Sequence, residues 1–223
     1  MLKSINISNF RLFRQIEVTR LARINLVVGK NNSGKSAFLE AIELFASNAS
    51  PYVILDLVKS RQETWTSESQ LLPRNSLENS VRHLFFGHRL PDLGQEGIRI
   101  GETKTRNQIH LTTAAFIREK QPDGTISLVR VSTIESGADP SDIYFALVAE
   151  DGERTRRILS LEENIEDIRR PYGPKRLAAD FKYPWQVVPT ENMSNRKVAT
   201  LWDLTSLTDQ ESEVIAALRL IIE

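Results

Sequence analysis

Eight consecutive residues, Gly29-Lys30-Asn31-Asn32-Ser33-Gly34-Lys35-Ser36, combine types and a spacing that could do chemistry. They spell G-x-x-x-x-G-K-S, a loop suited to a polyphosphate. Gly29 and Gly34 let the backbone turn where a side chain would obstruct it and bring its amides close to a ligand. Those amides would converge on phosphate oxygens as an anion nest. The Lys35 ammonium is placed to reach the outer two phosphates as the catalytic cation, and the Ser36 hydroxyl to ligate Mg²⁺. The candidate ligand-binding set is Gly29, Lys30, Asn31, Asn32, Ser33, Gly34, Lys35, Ser36 and Ala37, with Ser36 also the candidate metal ligand.

Such a loop needs a strand to deliver it and a helix to follow it. Ile24-Asn25-Leu26-Val27-Val28 is nearly all apolar and reads as a short buried strand of the parallel-sheet kind. Phe38, Ala41, Ile42 and Phe45 recur at helical spacing, so a helix is predicted from the loop's end, and its N-terminal partial charge would add to the site. Upstream, residues 2–8 alternate around Ile5 and Ile7, and residues 15–19 around Ile16 and Val18. They predict two antiparallel strands joined through Asn9-Phe10-Arg11-Leu12-Phe13.

The bulk composition narrows the remaining chemistry. A chain of 223 residues, 40% hydrophobic and 26% charged, can bury a substantial core as an ordinary soluble protein. Lys+Arg and Asp+Glu are both 29, so net charge makes no general case for nucleic acid. The absence of cysteine excludes disulfides, thiolate zinc sites and cysteine nucleophiles. No apolar run approaches a membrane span, and the N-terminus lacks the apolar core of a signal peptide. A cytoplasmic location without membrane contact is the expectation.

Ser50-Pro51 marks a helix start, and Val53, Ile54, Leu57 and Val58 keep helical spacing. Val53-Ile54-Leu55-Asp56 is therefore not a strand ending in a metal-binding aspartate, and Leu57 stands where a catalytic glutamate would follow. Residues 60–76 are polar and read as a mobile loop. Leu77, Val81, Leu84 and Phe85 predict a short helix closed by Gly87. Strand patterns occupy 97–161. Ile109, Leu111 and Thr113 lead to a turn at Pro122-Asp123-Gly124, and the chain returns through Ile126, Leu128 and Val131. A second hairpin runs from Tyr144 to Ala149, turns at Glu150-Asp151-Gly152 and returns from Arg156 to Leu161. The Asp-Gly turn outweighs Glu150-Asp151 as a metal-binding pair. Arg154, Arg156, Arg157, Arg169, Arg170, Lys175 and Arg176 are interleaved with acids and read as a solvated face. His83, His88 and His110 have no ligand-like spacing. Trp185 to Pro189 reads as a last strand. Ser194 would cap a helix with Val198, Leu201 and Trp202, and Thr208-Asp209-Gln210-Glu211 is a capping box for a final helix.

A first strand ending in Asn9-Phe10-Arg11, a second amphipathic strand, then strand, glycine loop and helix within fifty residues resemble the N-terminal half of ABC-type ATPase heads. The branch is that of SMC, RecF and OLD-like proteins and many bacterial ATPases described as AAA-type. The loop text followed by an apolar helix with Glu40 is typical of it. The resemblance is specific over residues 1–46 and holds in outline beyond. It implies an α/β P-loop NTPase fold: an ABC-ATPase-like core with an antiparallel β-subdomain, incomplete at the C-terminus. It implies ATP as the nucleotide, with Mg²⁺, and Arg11 as a nucleotide contact beside an edge shaped by Asn9 and Phe10. The residue types alone equally allow Phe10 and Phe13 as core and Arg11 as a solvated turn residue. Gln186 and Gln210 are candidates for the family's glutamine loop. On this reading the whole chain is the N-terminal portion of one ATPase domain. Residues 1–50 hold the strands, loop and first helix, 51–95 a helical and loop insertion, 96–190 the β-hairpins and 191–223 helices.

Hydrolysis in this class also needs a strand-end aspartate for Mg²⁺, a neighbouring glutamate and a Ser-Gly-rich signature from a second head. Glu135-Ser136-Gly137-Ala138 lies between strand segments rather than opening a helix, which argues against it as the signature. The expectation is a Mg-ATP-binding front part with little turnover of its own. Its partner would be the missing C-terminal half or a second subunit, with a nucleotide-dependent homodimer when complete. The whole would be an ATP-driven switch in DNA maintenance or phage defence, and DNA enters by family analogy alone. The alternative is a non-hydrolysing interaction module that senses a protein partner. A small-molecule kinase would usually lack the N-terminal strands and the β-hairpins.

Overall fold

Ile5 and Ile7 alternate with Asn6 and Ser8, and the alternation becomes strand β1 (Ile5–Phe10), with both isoleucines fully buried. It pairs antiparallel with β2 (Phe13–Val18), Ile7 opposite Ile16 and Phe10 opposite Phe13. Two residues, Arg11 and Leu12, make the connection, and Arg11 takes a left-handed φ of 51°. The computed structural model describes residues 2–61, 77–121, 123–133, 142–152, 154–163, 181–188, 198–199, 202–203, 206 and 209–222. Of the loop expected over 60–76, Ser60 is instead the last residue of a helix and 62–76 lie outside these, as do the Glu135-Ser136-Gly137-Ala138 segment, Pro122, the basic residues Arg169, Arg170, Lys175 and Arg176, and the cap residues Ser194 and Thr208.

The helices follow as their periodicity implies: α1 (Lys35–Ala46), α2 (Pro51–Ser60) and α3 (Leu77–Val81), the last continued by 3-10 turns at Arg82–Leu84 and Phe86–His88. Pro51 occupies the first turn of α2, where its missing N–H costs nothing. Phe85, in extended conformation, separates the two 3-10 turns, and Gly87 lies inside the second with φ 74° rather than closing the helix. The remaining strands are β3 (Ile98–Gly101), β4 (Gln108–Lys120), β5 (Ile126–Val131), β6 (Ile143–Glu150) and β7 (Thr155–Ser160). Both expected hairpins are present, with Gly124 and Gly152 supplying positive φ at their turns. The strand order is β2-β1-β3-β4-β6-β7, with β5 also on β4, and every pairing is antiparallel. α1 packs on β1 and β3, and α2 on α1. Between helices and sheet lie Phe38, Ala41, Leu44 and Phe45 against Ile5, Ile7, Ile98 and Ile100. Residues 186–223 form a second compact unit, which holds α4 (Asp209–Ile222). Among the described residues no helix is long and apolar enough to cross a membrane.

Two expected strands are corrected. Ile24–Val28 forms no strand and is unpaired, with Ile24 87% and Leu26 86% exposed. A strand needs a neighbour for its backbone groups, and none of the described strands pairs with this stretch. The chain enters this stretch through a bend in which the Asn25 side chain accepts from the Ala22 amide and donates to its carbonyl, both at 2.9 Å. The described part of the second, residues 185–188, is likewise without strand pairing. The parallel sheet that the first expected strand implied is thus absent among the described residues, whereas the expected antiparallel hairpins are present in one sheet.

Candidate functional site

The loop leads into α1 through Gly34, whose φ of 93° and ψ of 9° a residue with a side chain would adopt only under strain. A second constraint acts at the same position. A Cβ here would stand 2.8 Å from Phe13 Cζ and 3.0 Å from Leu12 Cδ1, so the β1–β2 turn presses directly on the loop. At Gly29 a Cβ would lie 2.6 Å from Ser33 Oγ, inside the loop's own curl. Asn32 adopts a left-handed φ of 61°, which asparagine tolerates better than most residues. The Ser33 amide donates to the Lys30 carbonyl at 3.3 Å and closes the curl.

The Phe38 amide bonds the Gly34 carbonyl at 2.8 Å and starts α1. The amides before it have no acceptor within the helix. No acidic side chain stands in the first turn, so the positive end of the helix dipole is not offset there. Lys35 Nζ donates to the carbonyls of Gly29 at 2.9 Å and Lys30 at 2.8 Å. The ammonium is held over the loop by two exposed hydrogen bonds that an anion could replace. Ser36 is exposed, while Ala37 is buried beneath the helix start. Lys30, Asn31, Asn32 and Ser33 are exposed with it. The structure thus brings Gly29 to Ser36 together as one exposed turn at a helix N-terminus, a shape and charge that suit a polyphosphate.

Arg11 has other partners than the expected ones. It is 6% exposed, so it is not a solvated turn residue. Its Nε makes an ion pair with Glu40 Oε2 on α1, and its Nη2 donates to the Leu57 carbonyl at 3.2 Å. Its backbone amide bonds Leu84 O at 2.8 Å. Phe10 is core, fully buried and bridged to Phe85. Asn9 donates to Gly97 O at 3.2 Å. Glu40 also meets Arg61, Oε1 to Nη2 at 2.7 Å. This carboxylate between two guanidiniums went unrecognised in the sequence as part of the site. The signal was there, because Glu40 follows Ser36 by four residues and therefore shares its helix face.

Elsewhere, Asp56 lies exposed on α2, and Asp151 sits in the β6–β7 turn, where Oδ2 accepts from Asn48 at 3.0 Å. Glu150 lies 3.0 Å from Arg130 and 3.3 Å from His110. Burial raises its carboxyl pKa, but the hydrogen bonds and charges of Arg130 and His110 outweigh this, leaving it below the usual value. His83 and His88 face each other, Nδ1 to Nδ1, at 3.1 Å. No cluster of three potential metal-ligating side chains occurs among the described residues. Gln186 is exposed, its amide on the Val187 carbonyl at 3.0 Å, and the Gln210 side chain is outside the described set.

Comparison with known proteins gives the family of the chain. A family model described as an AAA ATPase domain matches residues 1–169. The DNA replication and repair protein RecF of Leptospira biflexa is 26% identical over 215 residues, 96% of this chain and 52% of that protein. An ATP/GTP phosphatase of Helicobacter pylori is 35% identical over 75 residues, 32% of this chain and 20% of its own. An uncharacterised protein of Methanocaldococcus jannaschii is 47% identical over 47 residues, 21% of this chain and 22% of that one. The chain spans about half the length of its RecF relative and about a fifth of the other two.

Proposed function

Because the chain belongs to the AAA ATPase domain family, in its RecF- and SMC-like branch, we propose that it is the Mg-ATP-binding portion of such an ATPase. The observation that carries the reading is the loop itself: a left-handed Gly34 opening α1, with the Lys35 ammonium held on the Gly29 and Lys30 carbonyls. An ammonium bonded to two exposed carbonyls is ready to exchange them for phosphate oxygens, because charge-assisted bonds to an anion are the stronger ones. Residues 29–36 would wrap the phosphates with backbone amides, Ser36 would hold the cation, and bound Mg-ATP would supply the anhydride and the charge neutralisation. Arg11, committed to Glu40, contributes by shaping the loop's surroundings in the state described here.

Two observations support little turnover by this chain alone. Asp56 is on a helix and Asp151 is in a hairpin turn, so neither stands at the end of a core strand to hold Mg²⁺. Ile24, Leu26 and Val28 are exposed in the unpaired segment that delivers the loop, as suits a strand whose neighbours lie in another segment or subunit. The full assembly would be an ATP-driven switch that dimerises on nucleotide. Its action in DNA maintenance or phage defence rests on the kinship with RecF. The test is calorimetric titration of Mg-ATP into the wild-type chain and Lys35→Ala. Tight binding by the first and weak binding by the second is the expected result, and equal affinities refute the reading.

A further inference from the structure

We infer that Glu40 is a positioning residue of the nucleotide site, holding the rotation of α1 through its ion pair with Arg11. The inference rests on the proposed nucleotide reading, but its observations are independent of any ligand. The β1–β2 turn touches the site-bearing segment at two points. Leu12 and Phe13 press on Gly34, and Arg11, next in the chain, meets Glu40 from inside the fold. Those two points are six residues apart, roughly 9 Å along the helix axis. Lys35 and Ser36 lie between them.

The remaining contacts of α1 are mainly apolar: Ala37, Phe38, Ala41, Leu44 and Phe45. Apolar burial is non-directional, so a stripe of this kind tolerates small rotations of a helix on its sheet. A buried ion pair does not, because its stability depends on geometry and a misplaced partner leaves a desolvated charge. Glu40 lies one turn beyond Ser36 on the same face, so fixing its carboxylate fixes the direction in which Ser36 and the first helical amides point. Arg61, at the C-terminal end of α2, takes the second carboxylate oxygen at 2.7 Å, and the Arg11 guanidinium also bonds Leu57 O of α2. The carboxylate therefore ties the turn, α1 and α2 together at one point.

The experiment compares wild type, Glu40→Gln and the paired apolar variant Arg11→Met with Glu40→Leu. Glu40→Gln leaves a buried guanidinium without its countercharge and could simply unfold; the paired variant removes both charges and keeps the volume. Amide hydrogen exchange is read at residues 34–38 against residues 42–46 of the same helix, without nucleotide. Mg-ATP affinity is then measured for each folded variant. The expected result is a paired variant with wild-type cooperative unfolding, at least tenfold faster exchange confined to 34–38, and about tenfold weaker Mg-ATP binding. Unchanged exchange at 34–38 in that variant overturns the inference and leaves Glu40 a structural residue. Failure of the nucleotide reading looks different: wild type itself then does not bind Mg-ATP, while the exchange comparison still decides the role of Glu40.

Discussion

Two short apolar runs in this chain have opposite fates. Ile98–Gly101 is strand β3, held between β1 and β4, with Ile98 and Ile100 fully buried under α1. Ile24 to Val28 is richer in apolar residues, yet it is unpaired, with Val28 75% exposed. The first run stabilises the fold, and its one charged side chain, Arg99, is paired with the neighbouring Glu96. The second delivers the loop that has the chemistry and adds little to the stability of this chain. The difference shows that an apolar run states what a strand could bury, while flanking edges decide whether it does.

The sharpest way to break this contrast is to truncate one residue in each run. Ile100→Ala is expected to lower unfolding free energy by about 2–5 kcal/mol in urea titrations, as for other buried aliphatic truncations. Leu26→Ser is expected to change it by no more than about 0.5 kcal/mol, as is usual for surface sites. Equal losses would mean that the second run is packed in solution. Lys35→Ala sharpens the functional half of the comparison. It should weaken Mg-ATP binding by roughly a hundredfold, the scale of losing a charge-assisted contact, with the same urea midpoint as wild type. Leu26→Ser should also reduce any concentration-dependent association seen by sedimentation, since an exposed strand-like segment invites pairing.

The smallest effect concerns a region away from both runs. The folded pKa of Glu150 lies below its ordinary value, so the stability this carboxylate contributes is present above the usual glutamate range and is lost as pH falls through the lowered folded value. Its side chain is about one-third exposed, so solvent screening keeps the contribution to a few tenths of a kcal/mol, roughly. Glu150→Gln should lower the neutral plateau of the stability profile by that amount, flatten the acid limb accordingly, and leave low-pH stability and Mg-ATP affinity alone. A shift in affinity would tie this hairpin to the loop.

Much of the fold was legible because its determinants are local. The alternation around Ile5 and Ile7, the helical spacing from Phe38 to Phe45, the proline at the start of α2 and the Asp-Gly turn at 151–152 each act within a few residues, and each appears as read. The strand expected at 24–28 was not legible in this way. Its apolar pattern is real, but pairing requires a partner edge far away in sequence or outside the chain. The burial of Arg11 was not legible for a related reason. A turn between two strands is ordinarily solvated, and its burial follows from α1 and α2 closing over it.

By itself, the order of residues determined the loop and its reactive groups, because G-x-x-x-x-G-K-S requires backbone freedom, an ammonium and a hydroxyl at fixed neighbouring positions. Only the tertiary structure decided how that loop is held: Leu12 and Phe13 against Gly34, Arg11 on Glu40, and an apolar approach segment left exposed. The physical reason is range. Turn chemistry and helix starts are set by interactions within one or two turns of chain, whereas burial, ion pairing and strand pairing depend on which distant surfaces are present to meet.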